Sequence, residues 1–297
     1  MNLVGHKKQK KLFDKMASSG KIPHNLLFVG PEAVGKKRAA KEFIKRLNCK
    51  NSACGECGTC RDIENERDSD LLVIKEREEI KIDDIRDLQK RLALTGKRKD
   101  SYKAAIIDEA HLLNSQAQAC LLKTLEEPKG KALIILVSEH PQTLLDTILS
   151  RMWSIKFSPV ETELIKEELK KRGAGEEEAE KISQLSFSKP GLAIKLFEDK
   201  EFKKRWVKKK DDLNNLRNSF LAERFEYVKN LAKDRKEAKE TLKIWISLLR
   251  REMIEDGDES EVLRIKKALK VMEDMLFLTS KTNVNLKLSL EKVIINL

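Results

Sequence analysis

Residues 26–37 constrain this chain most, because they join an apolar run to a glycine-bounded loop and a basic helix start. The loop has the pattern G-x-x-x-x-G-K between Gly30 and Lys36. Glycines in this pattern let backbone N–H groups surround phosphate oxygens, and the lysine can reach the outer phosphates. The hydroxyl that ligates Mg²⁺ in such loops is absent, since Lys37 follows Lys36. The sequence therefore predicts a phosphate-binding loop that lacks one working part.

Length and composition limit the kinds of partner that the chain can have. Its 297 residues should hold about two domains of ordinary size. Charged residues make up 37%, hydrophobic residues 40% and aromatic residues 5%, a balance typical of helix-rich proteins with charged faces. The formal charge of +12 favours nucleic acid or a nucleotide over a membrane, because no stretch approaches the roughly 18 apolar residues of a spanning helix. A basic surface without an anionic partner is the alternative.

Four of the five cysteines lie close together, at Cys49, Cys54, Cys57 and Cys60. Residues 1–11 carry lysines but no apolar signal-peptide core, so we expect the chain to stay in the cytoplasm. In a reducing compartment such a cluster is a metal site more often than a set of disulfides. Four thiolates suit a tetrahedral Zn²⁺ ion, which would be structural because no ligand position is left open. An iron–sulfur cluster uses similar spacings and stays open as an alternative.

Strand and helix patterns alternate in the first half of the chain. After a short amphipathic helix within residues 2–20, strands are predicted at 25–29, 70–74, 102–108 and 131–138, and helices at 36–47, 80–94 and 115–127. The third predicted strand, with its run at 104–107, is apolar on both faces, as in a parallel sheet. The alternation predicts a parallel sheet with helices on both faces.

An acidic pair, Asp108 and Glu109, follows the third predicted strand. Carboxylates at the carboxyl end of a buried strand, in a chain with a phosphate loop, are the usual groups that hold Mg²⁺ and position a water. Asp108 is the candidate metal ligand, and Glu109 is the candidate that polarises the water. A solvated strand end is the alternative interpretation.

Beyond residue 159 the strand pattern stops and helices follow. Three short helices are predicted at 161–172, 176–186 and 190–197, then long amphipathic helices at 213–231, 238–254 and 262–278, with a break at 256–258 and a final helix within 283–296. The lysine-dense stretch 203–210 is either a nucleic-acid contact or a solvated helix face.

Four segments, each in the same order along the chain, resemble the bacterial DNA polymerase clamp loader, an ATPase assembly of the AAA+ class. They are residues 30–36, the four cysteines, residues 106–109 with the run Leu-Leu-Lys-Thr-Leu-Glu-Glu-Pro at 121–128, and Thr-Ile-Leu-Ser-Arg at 147–151. The resemblance covers residues 1 to about 200 and extends further only by length and helicity.

This resemblance implies an α/β fold followed by an all-α region. The implied domains are an AAA+ parallel-sheet P-loop domain at 1–158 with an inserted zinc module at 49–60, a small helical lid domain at 159–200, and a C-terminal helical collar, or oligomerisation domain, at 201–297.

Departures from the family pattern indicate a subunit that does not hydrolyse ATP. The motor subunits of the loader carry a hydroxyl where this chain has Lys37, and a nucleotide-binding arginine in the lid where it has Gly191. Ser150 and Arg151 are retained, and in this family that arginine points into the ATP site of the neighbouring subunit. The resemblance implies that Arg151 is an arginine finger acting in trans, which stabilises charge on the transferred phosphoryl group. It also implies a degenerate nucleotide site that consists of Gly30, Gly35, Lys36, Lys37, Asp108, Glu109 and Ser138.

The implied partners are the motor (gamma/tau) and delta subunits in a five-membered ring, the sliding clamp and primer–template DNA. Whether ATP with Mg²⁺ binds this chain stays open. One alternative is a motor subunit of the same loader that hydrolyses ATP and depends on Asp108 and Glu109. Another is a nucleic-acid-binding zinc protein, whose affinity for DNA would fall on chelation.

Overall fold

The computed structural model describes residues 3–74, 79–94, 101–128, 130–255, 259–281 and 285–297. Contacts divide the chain into two units, Met1–Ile194 and Lys195–Leu297. The three domains implied by the sequence, with boundaries after residues 158 and 200, stay a prediction. Among the described residues, no helix combines the length and the apolar character needed to cross a membrane.

A five-stranded parallel sheet forms the centre of the first unit, with strand order β2-β3-β4-β1-β5. Its strands are β1 (Asn25–Val29), β2 (Leu71–Ile74), β3 (Lys103–Ile107), β4 (Ala132–Ser138) and β5 (Trp153–Lys156). The first four confirm the predicted strands to within one residue at each end. The sequence analysis missed β5, because only Ile155 of its four residues is buried and the strand carries no apolar run.

Helices connect the strands and continue after the sheet. In the first unit they are α1 (Lys7–Ser19), α2 (Lys36–Asn48), α3 (Gly58–Glu64), α4 (Ile82–Ala93), α5 (Ser115–Glu126), α6 (Asp146–Leu149), α7 (Thr162–Lys171) and α8 (Glu176–Leu185). Helix α9 (Pro190–Glu198) continues from the first unit into the second. The predicted α/β fold followed by helices is confirmed.

Each face of the sheet carries a separate apolar core, because successive strand side chains point to opposite faces. Leu26 and Phe28 of β1 pack on the face covered by α1 and α2, where Phe13 and Phe43 are fully buried with ring centroids 4.8 Å apart. Leu27 packs on the other face with residues of α4 and α5. The continuous apolar runs of the strands are thereby buried on both faces, as predicted for β3.

The second unit is wholly helical in its described residues. Its helices are α10 (Lys200–Asn218), α11 (Leu221–Leu231), α12 (Arg235–Glu255), α13 (Glu259–Lys281) and α14 (Leu286–Ile295). Trp206 and Trp245 are buried, and the Trp245 indole N–H donates to the carbonyl oxygen of Lys209 at 2.9 Å. The Lys209 ammonium donates to Thr241 Oγ1 at 2.6 Å, which satisfies a buried charge inside the helical core.

The helices of this region differ from one prediction. The helix predicted at 213–231 is wrong, since α10 ends at Asn218 and α11 begins at Leu221. Phe220 and Leu221 are exposed at this break, so an apolar pattern that seemed to continue the buried face of one helix instead spans a turn. The break predicted at 256–258 lies outside the described residues.

Candidate functional site

Two glycines shape the loop between β1 and α2. A Cβ atom on Gly30 would lie 2.1 Å from the carbonyl oxygen of Phe157, so only glycine fits where the ends of β1 and β5 approach. Gly35 caps the start of α2 with φ 103°, a conformation that glycine adopts without strain. The loop therefore has the strand–turn–helix setting that a phosphate loop requires.

Lys36 spans this loop from the first turn of α2. Its ammonium donates to the carbonyl oxygens of Gly30 and Pro31, both at 2.7 Å, and the residue is only 5% exposed. Burial lowers the pKa of Lys36, although the nearby carboxylates of Glu109 and Glu139 act in the opposite direction. Lys36 thus places a buried cation at the loop, close to acidic groups at the ends of β3 and β4.

Lys37 reaches the carboxylate that the sequence analysis assigned to Mg²⁺. Its Nζ atom lies 3.3 Å from Asp108 Oδ2 and 3.5 Å from Glu66 Oε1. Glu66 also pairs with Lys41 at 2.8 Å. The four side chains form one network of two cations and two anions.

Glu109 and Ser138 lie at the carboxyl ends of β3 and β4 and make different contacts. Glu109 adopts a left-handed conformation (φ 51°), and its carboxylate lies 3.3 Å from Nε2 of His111. Ligand atoms of Glu109, His111 and Glu139 lie within 4.8 Å of one another. Ser138 is fully buried, and its hydroxyl oxygen accepts the N–H of His140 at 3.1 Å. The residues of the predicted degenerate site therefore lie at the carboxyl edge of the sheet.

A cavity of about 370 Å³ opens beside the loop. Lys36, Lys37 and Asp108 line its polar part, whereas Leu3 and Ile194 line an apolar part. A pocket with charged and apolar walls can accommodate an amphiphilic ligand that carries anionic groups.

Gly191 at the start of α9 packs directly on the loop. Its N–H donates to the carbonyl oxygen of Ala33 at 2.8 Å, and a Cβ atom added here would lie 2.8 Å from that oxygen. A larger residue at position 191 would force the two backbones apart. The chain therefore has a backbone contact where the family's motor subunits carry a nucleotide-binding arginine.

His6 holds the loop from the N-terminal side. Its Nε2–H donates to the carbonyl oxygen of Val34 at 2.8 Å, and its ring packs edge-on against Phe157 with centroids 5.0 Å apart. Burial lowers the pKa of His6 below its usual 6.5. The folded state therefore favours the neutral imidazole.

This shift predicts a pH dependence of stability. Below pH 6.5 the unfolded chain takes up a proton that the folded chain resists, so the free energy of unfolding should fall as the pH decreases from 7 towards the folded pKa. Melting temperatures measured between pH 8 and 5.5 should show this decrease, and His6→Gln should weaken it. An equally steep decrease in His6→Gln would show that other groups cause it.

The four cysteines converge between α2 and β2. Cys49 Sγ lies 3.6 Å from the Sγ atoms of both Cys54 and Cys57, and all four sulfurs lie within 4.8 Å of one another. Tetrahedral thiolates at about 2.3 Å from one zinc ion would be about 3.8 Å apart, so the spacing fits a single ion. In an iron–sulfur cluster the four thiolates are divided between two iron atoms or among four, so the sulfurs of the different irons lie further apart than around a single ion.

The thiol pKa values of Cys49 and Cys60 are shifted in opposite directions. Burial alone would raise the pKa of the Cys49 thiol, but N–H donors from Cys54 and Asn51 lower it to about 6. Burial raises the pKa of Cys60 to about 12. Metal ligation requires the thiolate form, so an ion here would release protons on binding.

The cysteine segment is also tied to the phosphate loop. Cys57 is the N-cap of helix α3, and its Sγ accepts the N–H of Cys60 at 3.4 Å; the helix ends at Glu64. The Glu64 carboxylate pairs with Arg38 and Lys45 of α2, and Glu66 follows two residues later to pair with Lys37. The cysteines thus position the acidic partners of the basic helix α2.

Arg151 lies at the other edge of the sheet, just before β5. Its carbonyl oxygen accepts from the side chain of Asn25 at the start of β1, whereas Gly30 follows the end of β1. Four steps along a strand cover about 13 Å. Arg151 therefore does not reach the pocket of its own chain.

The Arg151 guanidinium is held by residues near it in space. It pairs with Glu126 of α5 at 2.8 Å and donates to the carbonyl oxygen of Thr147 at 2.9 Å. Its side chain remains 38% exposed. The sequence analysis missed Glu126 and Glu66 as partners, because a carboxylate on a charged surface carries no local signal of which distant lysine or arginine it meets.

Comparisons with known proteins agree with the resemblance. Residues 5–161 match the family model described as DNA polymerase III, delta subunit. The DNA polymerase III subunit tau of Escherichia coli (strain K12) is 37% identical over 156 residues, which are 51% of this chain and 24% of that protein. The DNA polymerase III subunit delta' of Bacillus subtilis (strain 168) is 34% identical over 163 residues, which are 54% of this chain and 49% of that protein. The match thus spans a quarter to a half of these relatives' length.

A solved structure gives a weaker likeness. It is that of a DNA polymerase III gamma subunit-related protein from Thermotoga maritima, with a TM-score of 0.49 and 21% identity. The alignment covers 95% of this chain and 97% of that one.

Proposed function

The chain belongs to the DNA polymerase III delta subunit family, and on that premise we propose that it is the delta-prime subunit of a replicative clamp loader. In this proposal the chain does not hydrolyse ATP. It supplies Arg151 to the ATP site of a neighbouring gamma/tau motor subunit, and it helps to load the sliding clamp onto primed DNA.

The contact between Lys37 and Asp108 carries the first part of the proposal. Mg²⁺ that bridges nucleotide phosphates is held by a loop hydroxyl and a strand-end carboxylate in P-loop ATPases. Here the hydroxyl is absent and an ammonium lies 3.3 Å from the carboxylate. Gly191, packed on Ala33, supplies no cation from the lid side. Both features support loss of hydrolysis in this chain.

The position of Arg151 supports its role in trans. It lies at the strand-start edge, away from its own pocket, and its exposed side chain is held by an ion pair with Glu126. Exposed ion pairs contribute roughly 0–1 kcal/mol, so the phosphates of a neighbouring site can displace Glu126 at little cost. A guanidinium placed there can stabilise charge on the transferred phosphoryl group.

The remaining parts of the proposal follow from the family. The helices of the second unit form the collar of a five-membered ring with the motor and delta subunits. ATP bound to the neighbouring motor subunit contacts Arg151 and so stabilises the interface between the two subunits. The ring then holds the clamp open. Primer–template DNA enters through contacts with its phosphates, which the charge of +12 favours without sequence reading.

A structural zinc ion completes the proposal. Cys49, Cys54, Cys57 and Cys60 would hold it, and their sulfur spacing suits one tetrahedral ion. The ion would fix the start of α3 and so the acidic residues that follow it.

The alternative is a motor subunit that hydrolyses ATP. Tau subunits match this chain at identities as high as those of delta' subunits, and the retention of Lys36, Asp108 and Glu109 favours this alternative. Lys37 and Gly191 argue against it for the reasons above.

An ATPase assay of the purified chain separates the two functions. With ATP, Mg²⁺ and primed DNA, the wild-type chain should release no more phosphate than its Glu109→Gln variant, which serves as the matched blank for contaminating ATPases. A motor subunit would instead show slow turnover that Glu109→Gln abolishes, and that outcome would reject the non-hydrolysing role.

A further inference from the structure

We propose that Lys37 is a built-in cation that replaces Mg²⁺ beside Asp108, so that the cavity binds a nucleoside diphosphate or triphosphate without a divalent metal. This inference rests on the proposed function, because it assigns a ligand to the pocket of a non-hydrolysing subunit. It makes Lys37 a residue that determines metal dependence.

The charge of the network around Lys37 argues for a metal-free site. Lys37 and Lys41 face Asp108 and Glu66, so the two carboxylates are matched by two ammonium groups. Asp108 and Glu66 are each 15% exposed in their side chains, where solvent screens charge only in part. A divalent cation brought to Asp108 would meet an ammonium already 3.3 Å from the ligand oxygen. The network therefore disfavours Mg²⁺ at this position.

Two carboxylates hold the Lys37 ammonium in place. Lys37 is the second residue of α2, directly after the lysine that spans the loop. The Lys37 ammonium pairs with Glu66 as well as with Asp108, and Glu66 pairs in turn with Lys41. Lys37 is part of the chain, whereas a metal ion must be recruited from solution.

The lining of the cavity indicates the class of ligand. Lys36, Lys37 and Arg38 line it next to the glycine loop. Lys36 now donates to the loop carbonyls, and Lys37 and Arg38 pair with carboxylates, so the phosphate oxygens of a ligand would share these cationic donors with their present partners. Leu3, Val4 and Ile194 line the apolar part, which suits a nucleobase. The volume of about 370 Å³ is within the range of small-molecule pockets. A ligand that fits both parts of the cavity has an anionic portion and an apolar portion. A nucleotide has both, whereas a free phosphate has only the anionic one.

An ammonium in this position also accounts for a bound nucleotide that is not hydrolysed. A lysine can neutralise phosphate charge, but it accepts no oxygen ligands in the fixed octahedral geometry by which Mg²⁺ aligns phosphates. A nucleotide bound in the pocket would then stabilise the loop without being hydrolysed.

Calorimetric titration of ADP into the full chain, once in EDTA and once in MgCl₂, tests the proposal. The wild-type chain should bind ADP with dissociation constants that agree within about twofold in the two buffers. Lys37→Thr, which restores a hydroxyl ligand and frees Asp108, should bind at least tenfold more weakly than wild type in EDTA and gain at least tenfold from Mg²⁺. Lys37→Gln, the matched variant without a charge or a metal-binding hydroxyl, should bind weakly in both buffers.

Three results would overturn the proposal. The first is that the wild-type chain binds ADP at least tenfold more tightly in MgCl₂ than in EDTA. The second is that the wild-type chain binds ADP in neither buffer. The third is that Lys37→Gln binds ADP with the affinity of the wild-type chain. The comparison of buffers on the wild-type chain needs no variant, so it stands even where a substitution disturbs folding. The ATPase measurements on Glu109 and Arg151 are separate from this titration, so a failure here does not reject the proposed function.

Discussion

Replacement of Arg151 by alanine should lower the rate of ATP hydrolysis at the neighbouring motor site by roughly 10³-fold or more, while this chain stays folded. An arginine supplied in trans stabilises charge that develops on the transferred phosphoryl group and is worth about 10³–10⁵ in turnover. Arg151 is 38% exposed and pairs with Glu126 at the surface, so its removal should change stability by under about 1 kcal/mol. The measurement is DNA-stimulated ATPase of the reconstituted loader with this one subunit changed.

Two further variants make that experiment specific. Arg151→Lys should recover little activity, because an ammonium lacks the planar donor fork of the guanidinium. Arg86→Ala removes another exposed arginine, paired with Asp83 on α4, and should leave turnover unchanged. If Arg151→Ala hydrolyses ATP like the wild-type loader, Arg151 has no role in trans.

Removal of the proposed zinc ion from the four cysteines should lower the melting temperature more than any other change described for this chain. Structural zinc ions contribute about 10–16 kcal/mol in isolated zinc-finger peptides. A loss of only about 4 kcal/mol would lower the melting temperature of a domain the size of the first unit, Met1–Ile194, by about 8–16 °C. The shift should appear in thermal melts by circular dichroism with a strong chelator, and in Cys57→Ser without one.

Cys120→Ser is the control for that prediction, since Cys120 lies on α5 outside the cluster and should keep the wild-type melting temperature. Metal content measured on the purified chain should be one zinc ion, and the protein should be colourless. If chelation leaves the melting temperature unchanged, the ion is not structural. If it abolishes DNA binding while the fold persists, the cysteines belong to a nucleic-acid-binding site.

Local sequence patterns were sufficient for most elements of the first unit. Each of β1 to β4 is an apolar run that is buried on both faces, and α2 follows a glycine loop whose geometry depends on Gly30 and Gly35. Such features depend on neighbours in the chain. The strand β5 was missed because its pairing with β1 leaves most of its side chains exposed.

The sequence by itself determined the phosphate-loop pattern, the four-cysteine cluster, the class of fold and the missing hydroxyl after Lys36. These depend on residue types at short spacings, which dictate backbone conformation and ligand chemistry. Only the tertiary structure decided that Lys37 meets Asp108 and Glu66, that Gly191 packs on Ala33, and that Arg151 lies at the edge of the sheet away from the loop. Those contacts join residues far apart in the chain, and the partner of a charged side chain depends on how the strands and helices pack.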